Sequence, residues 1–431
     1  MKKISVLLIL ILISISGLLF GQDGFGDIFG SEEAAETQKS VVLNGEIGFD
    51  YKSYLDDSWN SDKIFLPFTN LNLLFTTDSI PVEAKIRLTL EGNNLDTILT
   101  VGDIVSELSL RSFFSFGYLD LGLLKIEWGK GDGIHVIDPL NPLDQSNGIS
   151  CDINEMKRSE LMAKMNFYIG GNGLFEVVYK PYFHPVETAS TGRWMVKDFT
   201  GFPSPPDTEL PGYSQVAARL TSTIGIFDLG GMYYYGYMTE PGMKFIFTPT
   251  PLPTEIIFTK AQLFGFEAGW ALGPFTFRTE GGYWLSEDRG GMISHLYNDR
   301  AVWLAGFDFM IPGTTLFISV QEFGSYVVNF DSSNPLDMDT GMSYGDNAMT
   351  NSVIAAVEGS YYQDKMKIRM AGLYLFEANG YMILPTYTWN IKDDLELSVT
   401  GQIFGGDDEG PNPYYAWRNN DSISLNLKYI F

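Results

Sequence analysis

The sequence predicts an all-β fold: a closed antiparallel transmembrane β-barrel of about 16–18 strands, with short periplasmic turns at one rim and longer extracellular loops at the other. Three observations lead there. Apolar and polar residues alternate with period two from about Val41 onward. The connections between the alternating segments are short and long in turn. The chain also opens with a secretory leader and has no later apolar run long enough for a membrane helix.

The leader reads "MKKISVLLILILISISGLLFGQ". Lys2 and Lys3 form its basic start, Ile4 to Phe20 its apolar run, and Gly21 the small residue at which cleavage is expected. Residues 22–40, Gly-rich and then acidic, carry no strand pattern and read as a flexible periplasmic lead or a small lumen plug. The barrel is assigned to 41–431. A net charge of −25 offers no basic excess to displace counterions, which argues against a nucleic-acid partner. Charged residues make up only 19% of the chain, too few for a disordered protein. The single cysteine, Cys151, excludes an internal disulfide.

The alternation is clearest in "VEAKIRLTLE". Val82, Ala84, Ile86, Leu88 and Leu90 share one face, and Glu83, Lys85, Arg87, Thr89 and Glu91 the other. "LNGEIGFDYK", "MKIRMAGLYLF" and "SISLNLKYIF" repeat the pattern. "YLDLGLLKIEW" is apolar on both faces and leaves its orientation open. About eighteen such segments have the length a tilted spanning strand needs.

Short connections fall at 76–80, 170–173, 272–274, 311–314, 363–365 and 392–394. Long polar ones fall at 128–159, 185–212, 239–254, 286–298 and 327–349. A soluble sandwich has no reason to alternate in this way, whereas a membrane barrel does, and closure removes the sheet edges. Tyr233, Tyr234, Tyr235, Tyr237, Trp270, Trp284, Trp389 and Trp417 lie near strand ends, where interfacial girdles are expected.

The last strand, "ISLNLKYIF", resembles the terminal signal of Gram-negative outer-membrane barrels that the barrel-assembly machinery reads, with Tyr429 and Phe431 as its key positions. "KIEWGKGDGIHVIDPLNPLD" is similar to a Trp-Gly and Asn-Pro-x-Asp segment of porin-like outer-membrane families of poorly defined function. The matching residues are Trp128, Gly129, Gly131, Asp132, Asp138, Asn141, Pro142 and Asp144. Chain size resembles that of substrate-specific diffusion porins. The resemblance implies outer-membrane lipid, the assembly machinery and small solutes as partners. It sets no oligomeric state.

No catalytic constellation emerges. "GKGDG" lacks both the spacing and the following helix of a phosphate loop. His135, His184 and His295 fall in or beside predicted loops without a specified nucleophile. Asp132, Asp138 and Asp144 in one loop, with Asp337 and Asp339 in another, supply oxygen ligands that suit a structural Ca²⁺. Neither stretch has EF-hand spacing, and Asx-Pro turns account for both. No other cofactor is indicated.

The expected function is diffusion of small hydrophilic solutes through a porin-like channel, with 128–159 folded inward as a constriction. Lys130, Asp132, His135, Asp138, Asn141 and Asp144 are its candidate constriction residues. Lys85, Arg87, Arg111, Lys125, Lys164, Arg219, Arg278, Lys367 and Arg369 are the candidate basic wall. Opposed wall cations and loop acids would set a transverse field across the pore. Two alternatives remain open. "FIFTPTPLPTEIIF" could line an entry for apolar substrates, or surface loops on a barrel scaffold could bind a host protein.

Overall fold

A computed structural model describes residues 39–56, 63–77, 82–91, 104–150, 153–196, 201–248, 250–334, 336–341, 347–408 and 412–431. The predicted leader, and all but the last two residues of the 22–40 segment, lie outside them.

Eighteen strands form one closed antiparallel sheet. In chain order they are β1 (Lys39–Tyr54), β2 (Lys63–Thr77), β3 (Val82–Glu91), β4 (Val105–Phe114), β5 (Gly117–Leu124) and β6 (Glu160–Ile169). Then come β7 (Gly173–Lys180), β8 (Gln215–Ile224), β9 (Phe227–Thr248), β10 (Thr250–Leu272), β11 (Phe275–Ser286) and β12 (Arg300–Met310). The last are β13 (Leu316–Val327), β14 (Met349–Tyr361), β15 (Met366–Leu375), β16 (Gly380–Lys392), β17 (Leu395–Gly405) and β18 (Ser422–Ile430). Each strand pairs with its neighbour in sequence, and β1 closes on β18 with Glu46 opposite Ile430 and Tyr54 opposite Ser422. Phe431 extends the seam by exchanging main-chain hydrogen bonds with Gly45, at 2.9 and 3.0 Å.

Period-two alternation sorts the side chains. Leu43, Ile47 and Phe49 on β1, Tyr179 on β7, Phe264 and Phe266 on β10, and Ile368 and Met370 on β15 are exposed on the outer face, where a bilayer would cover them. Their sequence neighbours point inward. "YLDLGLLKIEW" is apolar on both faces because its inner face is also covered. Leu121 is exposed outside, while Leu124 and Ile126 are buried inside.

Two expectations are corrected. Residues 239–254 are not a loop, because β9 and β10 run 22 and 23 residues and pair with each other up to Thr248 opposite Thr250. Pro251 and Pro253 read as loop signals in the sequence. They are tolerated here because the arm has free edges, where a missing N–H costs no ladder bond. The aromatic girdle is also thinner than expected. Tyr235 and Trp389 are exposed, but Tyr234, Tyr237 and Trp417 are buried, and Trp284 packs on the inner cluster around Tyr234.

Among the described residues no helix is long and apolar enough to cross a membrane.

Candidate functional site

The chain leaving β5 turns into the lumen. Leu124, Ile126 and Trp128 pack with Ile137 and Leu140 of the same segment against Met162, Val178, Ala217, Met232, Tyr234 and Leu263, on the inward faces of β6–β10. Trp128, Ile137 and Leu140 are almost fully buried. Each contributes roughly 1.5–3 kcal/mol of burial free energy. Trp128 is therefore not a rim residue, as its place at a strand end suggests, but the centre of a dry core built inside the barrel.

Asn141 ties the neck of the segment. Its Oδ1 accepts from Ile126 N at 2.8 Å, and its Nδ2 donates to Leu124 O at 2.9 Å and Arg158 O at 2.7 Å. One side chain thus bridges the exit at 124–126 and the return at 158. Asp138 pairs with Lys157 at 2.5 Å and accepts from Trp128 N at 3.2 Å. Lys180 of β7 donates to Leu140 O at 3.0 Å. Asp144 forms an Asx turn, accepting from Ser146 N and Oγ at 2.9 and 2.6 Å.

The tip docks on distant strands. Glu280, on the inward face of β11, accepts from Lys130 N, Gly131 N and Val136 N at 2.7–2.8 Å. His135 sits between two carboxylates, Nδ1 3.1 Å from Glu280 and Nε2 3.1 Å from Glu127. On β13, Gln321 accepts from Asp132 N at 2.8 Å and donates to Asp132 O at 2.6 Å. Gly129 has φ +116°, and a Cβ there would lie 2.3 Å from Glu280 Oε1 and 2.6 Å from His135 Nδ1. The glycines cradle a carboxylate of the barrel wall, not a phosphate.

Farther along, Ile149 O accepts from Gln402 of β17 at 3.3 Å. Residues 125–159 therefore touch the inner wall at β6–β11, β13 and β17. A short parallel pairing of Asp144–Gln145 with Glu187–Thr188 joins them to residues 181–214. That second segment places Trp194 among Tyr54, Met382, Phe404 and Trp417, with Trp417 Nε1 donating to Trp194 O at 2.9 Å.

The predicted wall cations face inward, but most are neutralised by the wall itself. Glu107 binds Lys85 at 2.9 Å and Arg87 at 2.7 Å. A ladder then crosses β4 to β10: Arg111–Asp120 at 2.6 Å, Lys164 to Asp120 and Glu176 at 3.6 Å each, and Arg219 to Glu176 at 3.3 Å and Glu267 at 2.6 Å. Arg278 pairs with Asp308. Lys125, past the end of β5, is exposed. Lys367 and Arg369 on β15 are also exposed, and among the described residues neither has an ion-pair partner. The expected field between wall cations and loop acids is not what these contacts build, because Asp138 is spent on Lys157 within its own segment.

Four of the five carboxylates considered for Ca²⁺ are separately engaged. Asp138 and Asp144 have the partners given above, and Asp132 is held through its main chain. Asp339 pairs with Arg300 at 3.1 Å and accepts from Asn298 N. Asp337 accepts from Asp339 N at 2.9 Å. Among the described residues no three His, Cys, Asp or Glu side chains are grouped to hold a metal. His184 bonds Glu160 at 2.7 Å, beside the buried Lys180–Glu160 pair. Burial lowers the pKa of His295.

By the period-two alternation of β11, Glu280 is an inward acid. Gln321, Lys157, Glu107 and Asp120 were not singled out, although Gln321, Glu107 and Asp120 occupy inward polar positions of alternating strands. Their partners lie on other segments, which the spacing of one strand cannot show.

The closed 18-strand barrel is similar in fold to solved structures of bacterial channels. OccK5 (OpdH) of Pseudomonas aeruginosa superposes with a TM-score of 0.53 at 10% identity, over 91% of this chain and 98% of that one. The outer membrane channel DcaP of Acinetobacter baumannii gives 0.45 at 10% identity over 93% and 99%. A mutant of the Rh. blastica porin gives 0.41 at 12% over 91% and 100%. No protein-family model and no curated protein matches the sequence.

Proposed function

We propose that the protein is an outer-membrane channel for passive or facilitated diffusion of small hydrophilic solutes, and that residues 125–159 narrow its lumen. One observation carries the reading. A segment that leaves the wall at Leu124 is hydrogen-bonded to Glu280 on β11 and Gln321 on β13, six and eight strands away around an 18-strand barrel. Such a path lines the inner wall from β6 to β13 and, through Ile149 and Gln402, also meets β17 on the other side, so the segment takes up part of the lumen. A barrel of this strand number is wide enough for water, so an inserted segment supplies the size selection.

The opposite arc supports an aqueous path. Its inward positions include hydroxyls and amides, with Thr386 beside Thr400, Thr388 beside Ser398, and Asn426 donating to Asp50, next to the ion pairs of Lys428 with Glu46 and Glu396. The exposed cations Lys367 and Arg369 lie on the neighbouring strand. On this reading Tyr429 and Phe431, stacked at the seam with centroids 6.3 Å apart, serve recognition by the assembly machinery.

Planar-bilayer recording tests the proposal. Purified protein gives stepwise conductance, and deletion of Gly133 to Gln145 raises the step size. Absence of steps across voltage and salt overturns the channel reading. Unchanged steps after the deletion overturn the role of the segment.

A further inference from the structure

His135 is held at both ends of its ring, by the wall at one nitrogen and by its own segment at the other. Nδ1 faces Glu280 and Nε2 faces Glu127, both at 3.1 Å. Glu280 Oε1 already accepts from Lys130 N and Gly131 N, and Oε2 from Val136 N. It acts only as an acceptor, as an ionised carboxylate does. The Glu127 side chain is 54% exposed, with Oε1 facing Nε2. A carboxylate oxygen at each ring nitrogen is matched by a proton on each.

We infer that His135 is an imidazolium clasp that holds residues 129–136 against β11, so that deprotonation releases the inserted segment and widens the path. The inference rests on the constriction reading for its effect on conductance, but not for the clasp itself.

The charges around the ring favour the protonated form. Glu280 comes from β11 and Glu127 from the neck. Asp138 and Lys157 lie behind it as an internally neutral pair, and Lys130 and Asp132 flank it on the same turn. Leu304 and Gln321, which β12 and β13 present to this turn, are uncharged. The nearby Arg219, over the Trp128 ring, is taken up by Glu176 and Glu267. Burial disfavours the imidazolium, but the hydrogen bond and charge of Glu280 and the charge of Asp138 outweigh it, leaving the His135 pKa raised above 6.5.

The sign follows from that direction. The clasp is fully closed below pH 6.5 and is lost as the pH rises through the raised value. Neutral His135 keeps one N–H for Glu280 but no positive charge, so its tie to β11 falls from an ion pair to a single hydrogen bond, and a lone pair turns toward Glu127. Loss of that charge raises the population of the detached segment by roughly tenfold.

Two measurements test this on full-length protein in detergent and in bilayers. The first is hydrogen–deuterium exchange of residues 129–137 between pH 5.5 and 9, corrected for intrinsic rate. Protection falls with pH in the wild type, stays flat in His135→Gln, and falls at lower pH in Glu127→Gln. Flat protection in the wild type, or the same fall in His135→Gln, overturns the clasp. The second is the frequency of large-conductance events over the same range. It rises in the wild type and is pH-independent in His135→Gln. If exchange follows the prediction while the Gly133–Gln145 deletion leaves conductance unchanged, the constriction reading fails and the clasp stands.

Discussion

Gln321 and Asp132 are joined as if they were neighbours in a sheet. The side-chain amide of Gln321 accepts from the main-chain N–H of Asp132 and donates to its carbonyl. One side chain on β13 thereby satisfies both polar groups of a peptide unit 189 residues earlier. Gln321→Ala removes both bonds from a partly buried place, at a cost of about 0.5–1.5 kcal/mol each to the docked state. Gln321→Glu keeps the acceptor and loses the donor. Exchange protection at Asp132 is expected to drop in both variants, and further in the alanine. Unchanged protection in Gln321→Ala would show that the tip is held without this contact.

Asn141 is the stronger determinant of the segment's fold. Asn141→Ala orphans Ile126 N, Leu124 O and Arg158 O together, an effect of roughly 3 kcal/mol. Asn141→Asp keeps only the acceptor and buries a charge, so it is no milder. Thermal unfolding in detergent is expected to show a lowered midpoint for both variants, and a wild-type midpoint for Asn141→Ala would refute the clip.

Gly129→Ala tests the cradle. Its φ of +116° disfavours any side chain, and the added Cβ meets Glu280 and His135 below van der Waals distance. The substitution is expected to raise conductance in the manner of a weakened dock while leaving barrel formation intact by heat-modifiability on gels. Gly170→Ala, in an open turn with φ +58° and nothing within 4 Å, supplies the control for backbone strain alone.

The outer loop 328–348 carries its own pH dependence. Burial, and to a lesser degree the charges of Asp339, Asp331 and Asp288, push Asp337 up to about 6, against the hydrogen bond it accepts from Asp339 N. A carboxyl with a raised folded pKa binds its proton more tightly when folded, so its local structure is best held at low pH. Stability here declines as pH rises from 3.8 to about 6 and is level above. Asp337→Asn is expected to abolish that slope, as read by proteolysis of the loop against pH. A slope that persists in Asp337→Asn would place its origin elsewhere.

The strands were legible because a barrel wall imposes period two on every spanning residue, whatever touches it. The rim alternation was legible because loop length survives in the sequence. The destination of residues 125–159 was not. Glu280 is an inward acid by parity, but its three main-chain partners lie 144–150 residues earlier, and no local spacing encodes such a distance. The place of Trp128 was illegible for a related reason, since a tryptophan at a strand end suits an interfacial girdle and an inward core equally well. Only the apolar inner faces of Met162, Val178, Met232 and Leu263 distinguish the two, because they need a cover that water cannot give. The Asp and Asn residues of "DPLNPLD" were read as pore-facing groups. Their short side chains instead fold the segment on itself, which is the commoner use of such residues beside proline.

The seam between β1 and β18 makes assembly a problem of timing. Tyr51 pairs with Leu425, so the first strand waits for nearly the whole chain before it finds its second partner. Contacts so far apart in sequence form slowly. The inserted segment must reach Gln321 and Gln402 through strands that come after it, and it must lie on the right side of the wall when the last strand arrives. A barrel that shuts with the segment outside has sealed off its own core, and Trp128, Ile137 and Leu140 are stranded in solvent. Such a particle would spend its life as a misfolded species for quality control to remove, which makes the order of closure, as much as the final contacts, a determinant of yield.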